Sequence, residues 1–301
     1  LGALRDVLVI AGHELAEALR SKRVLLFALL YVGGAIGGTV LFIEFLSGME
    51  AMLADTLMVA RSSQPGAFTR ALMSSEQAQR FLSRMLDDEA LAAQLVTVPP
   101  LSLFYGWLVL SFCPALVMLT APEAVTQDLS TGAVRFSLVR TSRLSYSVGK
   151  LVGQAALLGV SVLAGALGVW LVGHFRFVGF VPLENALWLL GWSGRGFVYC
   201  LAYVGLALGL SHATRSVPVS RVLGLLALAL LAALWGLSRT DWVTEHAAPL
   251  ARTLSQLLPA AHERSLWHPA LGDRLPAMVM LVALGISYFA LGYRFRSRRD
   301  T

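Results

Sequence analysis

Long apolar runs separated by short charged segments dominate the pattern of this 301-residue chain. A helix needs roughly 20 predominantly apolar residues to cross the hydrocarbon core of a bilayer. Runs at 24–45, 101–120, 151–172, 186–210, 222–237 and 276–293 meet or approach that length. The run from Leu151 to Val172 contains no charged residue, whereas Pro114 inside the second run predicts a kink. The fourth run is interrupted by Arg195. Either one helix passes from Ala186 to Leu210 with Arg195 inside it, or Leu187 to Arg195 lies in the interface and the span starts near Gly196. A central arginine costs roughly 2.5–3.5 kcal/mol on insertion scales, so this side chain is expected to snorkel to the outer interface or to line a polar pathway. The pattern predicts an all-α polytopic membrane protein with six transmembrane helices.

The segments between the runs have their own periodicity. Leu4 to Arg20 places Leu4, Val7, Leu8, Ala11, Leu15 and Leu19 on one helical face and Arg5, Asp6, Glu14, Glu17 and Arg20 mostly on another. Residues 1–23 therefore read as an amphipathic helix lying in the interface, ahead of a run that starts too late and continues too far for a cleavable signal peptide. Residues 46–100 read as an external helical insertion, with capping-box spacing at Ser74 and Gln77, an apolar stripe of Phe81, Leu82, Met85 and Leu86, and an acidic run Asp87-Asp88-Glu89. Pro99-Pro100 ends it. Residues 238–275 predict further short external helices. Gly33-x-x-x-Gly37 and Gly34-x-x-x-Gly38 carry the small-residue spacing that lets another helix approach, as do Ala155-x-x-x-Gly159 and Ser161-x-x-x-Gly165.

Composition agrees with the pattern: 56% of residues are hydrophobic and only 14% charged, too little polar surface for a soluble domain of this size. The net charge of +6 comes mostly from arginines scattered between apolar runs, which suits topology signals better than nucleic acid. With both termini inside, the short inner segments hold most of the Arg and Lys near span ends, including Lys22, Arg23 and the tail Arg294, Arg296, Arg298 and Arg299. That orientation puts residues 121–150 in the cytoplasm and both termini with them, in a bacterial inner membrane. Cys113 and Cys200 both fall in apolar runs and read as small hydrophobes without an evident partner.

Catalytic motifs fail on inspection. Gly149-Lys150 ends like a phosphate-binding loop, but Leu144 stands where the loop needs glycine and Leu151 where it needs Ser or Thr. His13-Glu14-Leu15-Ala16-Glu17 lacks the second histidine of a zinc-protease helix. Gly191-Trp192-Ser193-Gly194 matches the G-x-S-G of rhomboid-type intramembrane serine proteases, yet His212, His246, His262 and His268 all lie in loops or at a span edge rather than within a later span. No catalytic, cofactor-binding or metal-ligating set is expected, and no nucleic-acid partner.

The segment from Glu123 to Lys150 is basic and punctuated by turns between two apolar runs. Asp128-Leu129-Ser130-Thr131-Gly132, then Arg140-Thr141-Ser142-Arg143, then Tyr146, Gly149 and Lys150, resembles the cytoplasmic coupling segment of type-2 ABC exporter (ABC-2) permeases, with Thr141 where the family usually has proline. Glu14-Leu15 and Arg20 to Arg23 are similar to the same family's interfacial helix, so the resemblance covers the full length. It implies a permease subunit without nucleotide chemistry, paired with a second copy or paralogue and driven by a separate ATP-binding subunit that holds the ATP and magnesium. It further implies a short helix starting near Asp128 that docks in a groove of the ATPase. Phe136 and Leu138 would supply apolar contact there, and Arg135, Arg140, Arg143 and Lys150 would meet acidic rims or lipid phosphates. Among relatives the resemblance includes the permease of the nitrous-oxide-reductase maturation transporter, which works on an external partner protein. The alternatives are the rhomboid-type protease and a basic-looped membrane scaffold with no ATPase partner.

Overall fold

The computed structural model describes residues 2–57, 83, 89–177 and 180–297. The described elements are all helical. Helix α1 (Gly2–Arg20) is followed by α2 (Lys22–Leu57), α3 (Glu89–Leu95), α4 (Pro100–Thr120), α5 (Glu123–Thr131) and α6 (Ala133–Arg140). Then come α7 (Arg143–Arg176), α8 (Pro182–Ala213), α9 (Val217–Ser238), α10 (Asp241–His246), α11 (Ala248–Leu257), a 3-10 turn (Pro259–His262), α12 (Glu263–Leu266) and α13 (Leu271–Ser297). Among the described residues six helices are long and apolar enough to cross a membrane: α2, α4 with its continuation into α5, α7, α8, α9 and α13. This is the architecture of an all-α polytopic membrane protein.

Helix α2 does not stop near Phe45 but continues unbroken to Leu57, through residues expected to open the external insertion. The capping pair Ser74 and Gln77, the stripe from Phe81 to Leu86 and the acidic Asp87-Asp88 lie outside the described residues. Pro99 caps α4 and Pro100 supplies its first turn, where a missing N–H costs nothing. Pro114 lies inside an α4 that runs through it.

The core is centred on α8, which packs against α4, α7 and α13. Trp192, Tyr105, Met118, Leu208 and Leu281 are fully buried there. The closest crossing is between α8 and α13, where a Cβ at Gly205 would fall 2.0 Å from Gly285 O and one at Gly292 would fall 2.3 Å from Gly209 Cα. Only glycine allows two backbones that near. On α4, Gly106 seats the Trp192 indole, since a Cβ would come within 2.6 Å of that ring. In contrast, α9 leaves Val222, Leu225, Leu226 and Leu230 exposed, as a lipid-facing helix does.

The glycines expected to mark a helix contact behave unequally. Gly38 lies against Phe104 of α4, while a Cβ at Gly33, Gly34 or Gly37 would meet nothing within 4 Å. Among the described residues those three bring no helix close. Gly159 touches Phe197 and Gly165 touches Tyr31, so the small residues of α7 do receive neighbours.

Candidate functional site

The segment after α4 folds into two short helices rather than one. Helix α5 already runs through Asp128 and ends at Gly132, whose φ of 77° is a left-handed conformation that L side chains rarely adopt. Helix α6 then leaves in a new direction. Ser142 opens α7, its Oγ accepting a hydrogen bond from the Ser145 N–H at 3.0 Å.

Lys150 lies about two turns into α7, with 5% of its surface exposed. Its ammonium donates to the Glu14 carboxylate on α1 and pairs with Asp128 Oδ2 on α5 at 2.8 Å. Each carboxylate accepts from a second donor as well: Tyr146 Oη donates to the same Asp128 Oδ2 at 2.6 Å and Gln154 Nε2 donates to Glu14 Oε1 at 2.9 Å. One lysine thus ties three helices. The second donors matter, because a buried ion pair is better tolerated when further hydrogen bonds reach its charged groups. Backbone proximity makes the geometry available: a Cβ at Gly149 would lie 2.7 Å from Ile10 Cβ, and one at Gly153 2.7 Å from Glu14 Cβ. Helix α1 therefore lies directly on the α7 backbone.

The start of α5 is fastened independently. Thr126 N–H and Val125 N–H both donate to Ser211 Oγ near the end of α8, at 3.0 and 3.2 Å. Thr126 Oγ1 donates to Ser211 O at 3.0 Å and lies 3.2 Å from Ser220 Oγ on α9. Ser220 in turn donates to Pro122 O, and Arg221 pairs with Glu123. Helix α5 is held by α1 and α7 on one side and by the α8–α9 junction on the other. Between α1, α4, α5 and α7 opens a cleft of about 430 Å³, lined by Glu17, Lys22, Thr120, Gln127, Asp128 and Gln154 among others.

These contacts divide the residues expected to dock a partner. Asp128, Tyr146 and Lys150 are internal, so Lys150 spends its charge within the chain and not on an external acidic rim or lipid phosphate. Arg135, Arg140 and Arg143 are exposed, and Val139 of α6 is 83% exposed. The side chains of Phe136 and Leu138 lie outside the described residues. Glu14, expected on the outward polar face of α1, is 7% exposed and faces α7, while Leu4, Leu8 and Leu19 point outward. The reason is register: Val7, Ala11, Glu14 and Ala18 share one helical stripe, and that stripe contains the small residues that permit close approach. Thr126, Ser211, Ser220 and the Glu123–Arg221 pairing were not singled out from sequence. Lys150, one of two lysines in the chain and placed at the mouth of an apolar run, was the available signal.

Arg195 corrects another expectation. Helix α8 is unbroken from Pro182 to Ala213, and Arg195 does not snorkel: it is 4% exposed, with its guanidinium 4.1 Å from the Trp192 ring centroid. Ser193, the would-be nucleophile, is buried, donates to Leu189 O at 2.8 Å and sits 3.4 Å from the Tyr105 phenol. A phenol and a helix carbonyl do not activate a serine, so a protease reading has no support in its contacts. Among the described residues no group of three or more His, Cys, Asp or Glu converges as metal ligands would.

Six apolar helices among the described residues, tied at one end by a buried ionic clamp, define a multi-pass membrane protein. The chain belongs to the ABC-2 family of transporter proteins, whose family model matches residues 8–301. No curated protein matches it. Members of this family are membrane subunits of ABC transporters, not themselves catalytic, and normally work with an ATP-binding subunit.

Proposed function

We propose that this chain is the membrane-spanning subunit of an ABC exporter and that a separate ATP-binding subunit docks on α6 and the exposed edge of α5. The observation that carries this reading is the clamping of α5. A helix fastened to α1 and α7 through Lys150, and to α8 and α9 through Thr126 and Glu123, passes any displacement it receives to four helices at once. Helix α6, beyond the left-handed Gly132, presents Arg135 and Arg140 to the outside and offers the face on which such a displacement is applied. In this reading the α5–α6 end is cytoplasmic, the membrane is a bacterial inner membrane, and the working unit contains a second copy or a paralogue. ATP and magnesium reside in the docking subunit, whose closure shifts the permease between conformations by differential contacts. An external partner protein that receives the motion, in place of a transported molecule, is a variant of the same mechanism.

Charge reversal tests it. In the complex assembled with its ATP-binding subunit, Arg135→Glu with Arg140→Glu should abolish co-purification and permease-dependent ATP hydrolysis while the permease itself stays folded. Retention of both properties would remove α6 as the docking face. Failure of any ATP-binding subunit to associate with the unaltered chain would favour the scaffold alternative.

A further inference from the structure

Midway along α8 the bundle holds a charge that meets no counter-charge among the described residues. Arg195 is buried, and its Nε and Nη1 have no hydrogen-bond partner among those residues. The guanidinium rests on the Trp192 ring, whose own indole N–H is buried without an acceptor, and Trp192 packs on Trp267 with ring centroids 4.8 Å apart. The charged group acting on Arg195 is Arg274, of the same sign, whose Nη1 donates to Pro269 O at 3.0 Å. Among the described residues, the unpartnered polar atoms at this point are Arg195 Nε and Nη1 and the Trp192 indole N–H, all of them donors.

A buried guanidinium facing a like charge is destabilising unless an anion offsets it. Its planar fork fits the paired oxygens of a phosphate or carboxylate. Space exists on the side toward which a helical side chain leans, its N-terminal turn. Gly191, four residues earlier on the same face, would carry a Cβ with nothing within 4 Å, and Leu187, a further turn along, is 62% exposed. The turn at Gly191 therefore leaves unfilled space beside the exposed side of α8, one turn from the buried guanidinium.

We propose that Arg195, with the Trp192 N–H and Arg274, forms a subsite for one anionic group, a phosphate or carboxylate, carried on an apolar body. The indoles of Trp192 and Trp267 and the exposed Leu187 suit the apolar body; the guanidiniums take the head. The group belongs either to a bilayer phospholipid or to an amphiphilic cargo. Because binding needs no ATP-binding subunit, this inference stands or falls separately from the docking of α6.

The test uses the purified full chain in a nonionic detergent, titrated with dodecyl phosphate and with dodecyltrimethylammonium as the charge-reversed control, read by calorimetry and by the thermal midpoint. Saturable, stabilising binding of dodecyl phosphate alone is expected. Arg195→Met should weaken it about tenfold or more, Arg195→Lys should weaken it less, and Arg252→Met, at an exposed position on α11, should leave it unchanged. Should Arg195→Met fail to fold, Arg195→Lys carries the same comparison. Native mass spectrometry then separates the sources. A phospholipid retained by the unaltered chain and lost in the variant assigns the head to lipid; dodecyl phosphate binding with no retained lipid assigns it to cargo. Absence of saturable binding to the unaltered chain, undiminished affinity in both Arg195 variants, or an equal loss in Arg252→Met would overturn the proposal.

Discussion

At Lys150 three helices meet through a single ammonium group. Replacing it with methionine leaves Glu14 and Asp128 buried without their counter-charge, and breaking a buried pair in this way costs about 3–5 kcal/mol. Lys150→Met should therefore lower the thermal midpoint in detergent sharply, and combining it with Glu14→Gln should restore part of the loss. The non-additivity of that double-mutant cycle measures the clamp. A second residue-scale effect belongs to Glu263, in the connection between α9 and α13. Burial raises its carboxyl pKa, and the hydrogen bond it accepts from Tyr199 Oη at 3.3 Å only partly opposes this. A carboxyl whose folded pKa lies above its unfolded one contributes stability in acid, fully present below about pH 4 and lost as pH rises through the folded value. Thermal midpoints of the unaltered chain and Glu263→Gln, compared from acid to neutral pH, should converge in acid and diverge in favour of the variant near neutrality.

At the scale of elements, glycines decide which helices touch. Gly153→Val would place a branched side chain where Glu14 Cβ already lies 2.7 Å from an added Cβ. It should separate α1 from α7, destabilise by about 1–3 kcal/mol and weaken any coupling that passes through Lys150. Thermal unfolding together with ATP hydrolysis by the assembled transporter checks both. The six apolar helices were legible from run length alone, because the bilayer sets that length. The interior of the clamp was less so. Glu14 sat on the polar face when α1 was judged by its large apolar residues, yet the face that docks is defined by small ones: Ala11, Ala18 and the facing Gly149 and Gly153. The same bias drew attention to the paired glycines of α2, three of which meet nothing within the chain, and away from Gly205-x-x-x-Gly209, which packs against Gly285 and Gly292. Spacing reveals that a close contact is permitted, not which partner takes it. Arg195 was flagged correctly as an anomaly, but hydropathy carries no information about the Trp192 ring that covers it.

For the whole molecule, sidedness is the expectation most open to direct measurement. Cys113 and Cys200 are both buried, so the chain offers little thiol background. Val139→Cys on α6 should react with an impermeant maleimide only in inverted vesicles, and Trp242→Cys on α10 only in intact cells. Reaction from the opposite sides would reverse the orientation assigned from the arginines. Helix α2 begins beside α1, at the clamped end, and runs without a break for 36 residues. At 1.5 Å per residue that is about 54 Å, well beyond a hydrocarbon core of about 30 Å. A rod of that length is a lever arm: tilting it by about 5° at the clamped end displaces its far tip by nearly the pitch of one helical turn, roughly 5 Å. Motion too small to open a path where it is generated becomes, at the far tip, large enough to repack whatever rests there.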